Sequence, residues 1–294
     1  MRTIIPGEVP VNEMHQYLLG TVSPRPIAFV STMDEEGQPN LAPYSFFNVF
    51  SSNPPIAVFS SNRRVSDNTT KDTLHNVKVT GECVINAVTY DIVRQMAVAS
   101  VGYDSSVNEF EKAGLTPVPS DIVKPFRVKE SPAHMECKVR EIIPLGEHGG
   151  AGHLIVCDVL RMHISESVID GNRIDPHKMD LMGRMGRAFY VRASGEAVHT
   201  IVQSVVQIAI GFDSLPNSVR QSKVLTGNQL GIISGLLKLP GQQEIDAIGK
   251  SEVVAQIIIE GGNSIDALHR LGAGYVDEGL AEDALAVLLF ADSL

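Results

Sequence analysis

Several residue types and patterns are scarce in this chain of 294 residues. It has no tryptophan, only 5% aromatic residues and three cysteines, and no apolar run reaches the roughly 18 residues that a membrane-spanning helix needs. Cys83, Cys137 and Cys157 are odd in number and widely spaced, so a disulfide framework is not expected. Without a secretory signal or a membrane span, the expected location is the cytoplasm.

Basic charge is also scarce. The chain has 24 Lys and Arg against 34 Asp and Glu, a net charge of -10. No basic stripe is visible, so nucleic acid is not an expected partner. From Ala193 onward there are 12 acidic and 5 basic residues, which leaves only -3 on the first 192 residues. An anionic ligand would therefore meet less repulsion in the first part of the chain.

The first part reads as antiparallel strands with a few helices. Short links and turn residues such as Asp34 to Gly37 separate β-branched and aromatic runs, and this pattern favours a small closed or partly closed barrel. The glycine-rich stretch 146–152 lacks the Lys-Ser/Thr pair of a phosphate loop, so we interpret it as a hairpin loop. The predicted strands are Pro26–Thr32, Leu41–Phe50, Pro54–Ser60, Glu82–Val88, Ala133–Leu145 and Gly152–Ile164, and the predicted helices are Asp67–Lys78 and Tyr90–Val101.

Strand signals fade after about Ala193, and helical spacing replaces them. We therefore predict two domains, 1–192 and 193–294. The helices predicted in the second are Glu196–Phe212, Gln229–Leu237, Gln242–Ile248, Ser251–Glu260, Ser264–Leu271 and Asp277–Ala291.

Three segments in the first domain are unusual enough to indicate a ligand site. Arg25 stands between two prolines, which stiffen its loop and limit the freedom its guanidinium would lose on binding an anion. The second segment, 42–48, places Pro43 within a predicted strand, where it cannot donate a ladder hydrogen bond; that strand should be at an edge or disrupted. Its aromatic residues would more commonly be core.

The third segment, 67–73, begins a predicted helix among hydroxyls, amides and one lysine. A helix N-terminus offers free N–H groups and partial positive charge, so Lys71 with Thr69, Thr70 and Thr73 fits a phosphate cradle. Ordinary N-capping would explain these residues equally well if they stood alone.

In combination, the three segments resemble the flavin reductase-like family of FMN-binding split β-barrel proteins. The resemblance rests on four motifs from Gly20 to Ala87: Ser23-Pro-Arg-Pro26, Asn40 to Phe47, Pro54-Pro55 and Lys71-Asp-Thr73. Weaker similarity continues to about Tyr190. The helical C-terminal part matches nothing in this pattern, and its role stays open.

The resemblance implies a mainly β fold with α, an FMN-binding split β-barrel followed by a helical C-terminal region, and a homodimer with FMN near the interface. It implies that electrons pass from a reduced nicotinamide through FMN to free flavin or a protein acceptor. The cofactor would carry the chemistry, so no catalytic side chain is assigned. The implied FMN-binding residues are Arg25, Tyr44, Ser45, Phe46, Phe47, Asn48, Ser60, Thr70, Lys71, Asp72 and Thr73.

Other interpretations stay open. The same residues fit a flavin-binding electron carrier or FMN-binding module that has no reductase turnover of its own and docks a protein partner through its C-terminal helices. A third interpretation is a structural protein with a non-flavin pocket. A metal site would have to draw on scattered residues, and on one strand His153 and His163 would lie about 33 Å apart at about 3.3 Å per residue. No metal site is therefore expected. The residues considered for it are His134, Cys137, His148, His153, Cys157 and His163.

Overall fold

The structure is a computed structural model that describes residues 1–201, 207–261 and 264–294. They form two compact units, Met1–His199 and Thr200–Leu294. The elements of the first unit are α1 (Val11–Thr21), β1 (Ala28–Met33), β2 (Pro39–Tyr44), β3 (Phe47–Ser52), β4 (Pro55–Ser60), α2 (Asp72–Thr80), β5 (Glu82–Ala87), α3 (Val93–Ala99), α4 (Glu109–Ala113), β6 (Pro117–Val118), β7 (Arg127–Val128), β8 (Ala133–Pro144), β9 (His153–Ile164), β10 (Ile169–Asp170), β11 (Arg173–Ile174), α5 (Pro176–Met179), β12 (Leu181–Gly186) and β13 (Phe189–Ala193).

Seven of these strands form one antiparallel sheet in the order β2-β1-β5-β8-β9-β4-β3. The two edge strands, β2 and β3, are joined only by Ser45 and Phe46. In a flat sheet they would lie about 29 Å apart at about 4.8 Å per strand, whereas this linker reaches about 10 Å. The sheet must therefore curl until its edges approach each other. This is the predicted split β-barrel, and the predicted fold class is confirmed.

Alternate side chains of β1 lie in two different hydrophobic cores. Ala28 and Val30 point into one cluster, whereas Phe29 points into another with Met96 of α3 and Phe110 of α4. This alternation follows from the period of two along a strand. The two clusters therefore occupy opposite faces of the sheet, and α3 and α4 cover one of them.

Two predicted elements have different boundaries. The single strand expected over Leu41–Phe50 is divided into β2 and β3, because the chain turns from one sheet edge to the other at residues 45–46. Pro43 does lie on an edge strand, as predicted. The helix expected from Asp67 begins only at Asp72, because the Asp67 carboxylate accepts a hydrogen bond from the Thr69 amide and forms a local turn.

The second unit is helical in its described residues. The helix expected from Asp277 is wrong at its start, because α10 (Ser264–Asp277) continues to that residue. Gly279, with φ of +81°, separates α10 from α11 (Ala281–Asp292). The helix expected over Glu196–Phe212 is not found at its described ends, which are 3-10 turns at Gly195–Ala197 and Phe212–Ser214; residues 202–206 lie outside the described residues. The helices are α6 (Asn217–Arg220), α7 (Gly227–Ser234), α8 (Gln242–Gly249), α9 (Glu252–Glu260), α10 (Ser264–Asp277) and α11 (Ala281–Asp292).

Candidate functional site

The predicted ring-binding segment lies at the barrel seam, where β2 ends and β3 begins. Tyr44 is buried, and its ring packs 5.2 Å from that of Phe59. Phe46 and Phe47 are partly buried, as is Ser45. Burial raises the pKa of Tyr44 to about 12, so its phenol stays protonated near neutral pH. The segment thus offers a largely apolar surface, with one aromatic already committed to the core.

Asn48 contributes less to this surface than the aromatics do. Its side chain is exposed, and its Oδ1 accepts a hydrogen bond from the Val49 amide at 2.8 Å. The side-chain nitrogen of Asn48, Nδ2, makes no hydrogen bond with the described residues. The hydroxyl of Ser45, which is partly buried, likewise makes no hydrogen bond with the described residues.

Lys71 lies beside the same segment, with its ammonium nitrogen 4.8 Å from the centre of the Tyr44 ring. Desolvation, followed by repulsion from Arg64, lowers the pKa of Lys71. None of the ion pairs of the described residues involves Lys71. A partly buried cation without a carboxylate partner is suited to bind an anion.

The surroundings of Lys71 form a small cleft. Arg64 and Lys71 line it together with Asp72 and Glu109, and its volume is about 110 Å³. The Arg64 guanidinium is held by Thr69 Oγ1 at 2.8 Å and by the carbonyl of Thr70 at 3.0 Å. The cleft therefore combines two cations, of which Arg64 is held by hydrogen bonds, with the start of α2 and with the carboxylates of Asp72 and Glu109. Cations at a helix N-terminus are features that favour an anion such as phosphate.

The predicted phosphate ligands are not equally available in this structure. The Thr73 side chain is completely buried, and its Oγ1 accepts a hydrogen bond from Asn40 at 2.9 Å. Thr70 and Asp72 are partly buried, and the Thr70 carbonyl is already used by Arg64. Thr73 thus positions the first turn of α2, whereas Lys71 and Arg64 face the cleft. Arg64 was not among the predicted ligands, although its place just upstream of the segment was a usable signal.

Arg25 is 4% exposed, a degree of burial that is rare for arginine. Its Nη1 donates to the carbonyl of Leu19 at 2.6 Å and to that of Val22, at the C-terminal end of α1. Its Nε and Nη2 are buried without a hydrogen-bond partner. Burial, followed by the nearby charge of Arg184, lowers the pKa of Arg25. The guanidinium lies 6.0 Å from the Phe46 ring centre, so its unpaired donors are beside the ring-binding segment.

Ser60 is placed near this segment by the barrel seam itself. Its amide donates to the Phe46 carbonyl at 2.8 Å, and its hydroxyl donates to Asn62 at 2.9 Å. A side chain at Gly152 would lie 2.5 Å from the Ser60 hydroxyl. The glycine-rich loop is a hairpin loop between β8 and β9, as predicted, and it closes over Ser60.

His153 was considered from the sequence only as a candidate metal ligand. It is buried and pairs with Ser61 through two backbone hydrogen bonds of 3.1 Å, with its Nδ1 3.3 Å from the Ser61 carbonyl. The available signal was a histidine at the start of a predicted strand, directly after Gly152. The structure thus adds His153 to the neighbourhood of Ser60.

The histidines and cysteines considered for a metal site are not brought together as one set. His163 instead lies near Glu136 and Asp121, with their potential ligand atoms within 4.8 Å of one another. Glu136 already accepts hydrogen bonds from two backbone amides and lies 2.7 Å from His163, while Asp121 pairs with Arg161 at 2.8 Å. This group is internally paired, so its donor atoms are not free for a cation.

The three cysteines are free and buried. The sulfurs of Cys83 and Cys157 are 3.8 Å apart. Hydrogen bonding to the neighbouring thiols and burial raise the pKa of Cys83. These thiols are therefore packing residues of the barrel core, with low reactivity.

The residues at the seam fit FMN. A flavin phosphate needs cationic donors, which Lys71 and Arg64 supply, and the ring needs an apolar surface, which Phe46 and Phe47 supply. The two unpaired donors of Arg25 match a ligand with acceptor atoms. An antiparallel split barrel with this donor set defines a flavin-binding class of protein.

The comparison with known proteins identifies the family. The model of the flavin reductase like domain matches residues 19–175, and the chain belongs to that family, whose general role is flavin-related oxidoreduction. An uncharacterized protein of Aquifex aeolicus is 39% identical over 184 residues, which are 62% of this chain and 91% of that protein. The family match ends before the helical unit.

Two solved structures have the same barrel. Nitrilotriacetate monooxygenase component B from Bacillus cereus is 31% identical, with a TM-score of 0.63 over 67% of this chain and 97% of that chain. The 2-nitrobenzoate 2-nitroreductase of Pseudomonas fluorescens is 27% identical, with a TM-score of 0.62 over 71% and 100% of the two chains. In the part of this chain that the structure describes, no helix has the length and apolar character needed to span a membrane.

Proposed function

We propose that this protein is an FMN-dependent oxidoreductase that takes electrons from a reduced nicotinamide and passes them to an acceptor or to free flavin. The observation that carries the proposal is Lys71, a partly buried cation with a lowered pKa and no carboxylate partner among the described residues, at the edge of an aromatic segment. Such a cation is stabilised by a bound phosphate. Family membership supports flavin as the phosphate-bearing group.

We propose that the eleven residues predicted from the sequence, with Arg64 added, form the FMN site, some by contact with FMN and others by positioning the residues that contact it. Lys71 and Arg64 would bind the phosphate, and Thr73 and Asp72 would position the first turn of α2. Phe46, Phe47 and Ser45 would contact the ring. When bound, FMN would supply the hydride acceptance and the electron transfer.

The protein side chains have electrostatic and positioning roles in this proposal. Arg25 would direct its unpaired donors and its positive charge toward flavin acceptor atoms, where a preorganised donor is most effective. Tyr44, with a pKa of about 12, would remain protonated and would not act as a base near neutral pH. No general acid or base is assigned.

The domain assignment, the assembly and the location belong to the same proposal. Residues 1–192 would be the flavin-binding barrel and residues 193–294 a helical extension. A homodimer would cover Val49 and Phe50, which are 54% and 70% exposed on the edge strand β3. Three free cysteines are in keeping with a cytoplasmic location.

A test is the absorption spectrum of the purified protein with and without added FMN, followed by anaerobic addition of NADH and then NADPH. Oxidised-flavin bands that bleach with either nicotinamide are expected. Bound flavin that stays oxidised would favour the second candidate, an electron carrier without reductase turnover, which the separate helical unit at Thr200–Leu294 supports. Failure to bind flavin would refute both and favour a non-flavin pocket.

A further inference from the structure

The two longest helices of the second unit form a hairpin with a recognisable packing pattern. The pattern of a tetratricopeptide hairpin is W-x2-L-G-x2-Y followed by A-x3-F. With leucine in place of tryptophan and phenylalanine, the chain has Leu268-x2-Leu271-Gly272-x2-Tyr275 in α10 and Ala284-x3-Leu288 in α11. A side chain at Gly272 would lie 3.1 Å from Leu288, so the small residue is needed for the close approach of the two helices.

In repeat proteins, hairpins of this kind stack into arrays whose surfaces bind other proteins. Here α8 packs against α11, and Gly249 lies against the ring of Phe290 with no room for a side chain. Between α8, α11 and the segment 236–240 there is a groove of about 360 Å³. Its apolar lining includes Leu236, Ile248 and Ala286. The groove is large enough for one or two apolar side chains.

The rim of the groove is acidic. Its charged residues are three acids and one base: Glu244, Glu282, Asp283 and Lys238. The Glu244 carboxylate accepts a hydrogen bond from the Gly241 amide at 2.6 Å, but Glu282 and Asp283 are exposed and make no side-chain hydrogen bond or ion pair with the described residues. The whole unit has 11 acidic and 5 basic residues. A groove with a partly apolar lining and this acidic rim is complementary to an apolar side chain flanked by positive charges.

We propose that this groove docks a peptide segment of a partner protein in which a leucine-like side chain is flanked by lysine or arginine. The apolar side chain enters between Ile248 and Ala286, and the flanking cations pair with Glu282 and Asp283. Docking at the groove does not depend on the flavin chemistry of the barrel. It assigns a role to the helical unit, which the family match does not cover.

The test uses the full chain and a fluorescein-labelled peptide that alternates lysine and leucine, followed by fluorescence anisotropy. The reference peptides alternate glutamate with leucine and lysine with glycine. We expect saturable binding only for the lysine–leucine peptide and not for the two reference peptides. Added salt should weaken this binding. Equal binding of all three peptides, or binding of none, would overturn the proposal.

Two groove variants and one control locate the binding. Glu282→Lys with Asp283→Lys reverses the free carboxylates and should weaken binding about tenfold or more. Glu252→Lys with Glu278→Lys makes the same charge change outside the groove and should weaken binding far less. Equal losses in the two double variants would mean nonspecific attraction to an acidic surface, against the proposal.

Ala247→Phe narrows the groove without changing its charge, because Ala247 is an exposed residue of its lining. It should also abolish saturable binding, with the helical circular dichroism unchanged. Undiminished binding in this variant would place the peptide elsewhere. Sedimentation of the unmodified chain and of each variant tests whether a second copy of the chain occupies the groove instead. If the unmodified chain binds no peptide but self-associates, and the groove variants lose this self-association, then a second copy fills the groove and the proposal is wrong.

Discussion

Replacing Lys71 by methionine should weaken FMN binding while leaving riboflavin binding nearly unchanged, because riboflavin lacks the phosphate. A charge-assisted contact contributes about 1.5–3 kcal/mol, which corresponds to about 10- to 150-fold in affinity. The structure favours the upper part of this range. Lys71 is already partly desolvated, as its lowered pKa indicates, so binding a phosphate requires little further loss of hydration.

Methionine is chosen because its unbranched side chain keeps the contact over the Tyr44 ring while removing the charge. Both affinities can be measured by the quenching of flavin fluorescence. The matched control is Lys78→Met, which removes an exposed charge from the last turn of α2 and should change neither affinity by much. Equal weakening of FMN and riboflavin would show that Lys71 supports the ring or the fold, and unchanged FMN binding would remove it from the site.

Three further predictions test the barrel and the helical unit. Glu109→Gln removes a carboxylate from the cleft that Lys71 lines and should strengthen FMN binding about two- to fivefold with little change for riboflavin; weaker FMN binding would contradict this. Burial and nearby positive charge lower the pKa of His134 to about 4 in the folded protein, below the ordinary histidine value of about 6.5. As pH falls through about 6.5, the unfolded chain binds a proton at His134 that the folded protein does not bind, so the free energy of unfolding decreases. Between about pH 7.5 and about pH 5 the free energy of unfolding should decrease by at most about 2 kcal/mol, since solvent screens the partly exposed ring. In urea unfolding, His134→Gln should make this decrease with pH smaller. Gly272→Val should destabilise the helical unit by about 1–3 kcal/mol in hydrogen exchange through overpacking against Leu288. Gly274→Val, which meets nothing within 4 Å, should not destabilise it, because valine has a slightly higher helix propensity than glycine.

The sequence predicted the barrel well where alternation and turn chemistry act locally. β1, β4, β5, β8 and β9 were located to within two residues, because each is a β-branched or apolar run bounded by turn residues. The division between β2 and β3 was missed, since no local signal shows that the chain must pass from one edge of a curled sheet to the other. Only the long-range pairing of β3 with β4 determines it.

Helix α1 was missed for a different reason. None of its residues is fully buried, so the hydrophobic pattern that identifies a packed helix is weak. Instead, Arg25 connects the helix to the barrel by donating hydrogen bonds to two carbonyls at the C-terminal end of α1. The spacing of apolar residues within α1 carries no information about these hydrogen bonds, because their donor, Arg25, follows the helix in the chain.

For the candidate site, the sequence identified residue types better than it identified roles. Lys71 faces a cleft as the motif suggested, but Thr73 is buried against Asn40. Arg64 is held beside Lys71 by a local hydrogen bond to the Thr70 carbonyl, and His153 lies near Ser60 through its backbone pairing with Ser61. Side-chain direction and long-range pairing decide these differences, and neither is encoded in a short motif.

Arg25 and Lys71 together give a physical reason for coupling between ligand binding and the stability of the barrel. Each is a cation with a lowered pKa, and neither has a carboxylate partner among the described residues. Holding such groups in a folded protein costs free energy, because a buried charge or an unpaired donor is less well solvated than in water. A bound anion restores part of that loss in the folded state alone, so it stabilises the barrel by mass action, by about 2.7 kcal/mol at one hundred times its dissociation constant. The same unsatisfied donors that make the unliganded barrel less stable therefore provide the affinity for a phosphate-bearing ligand.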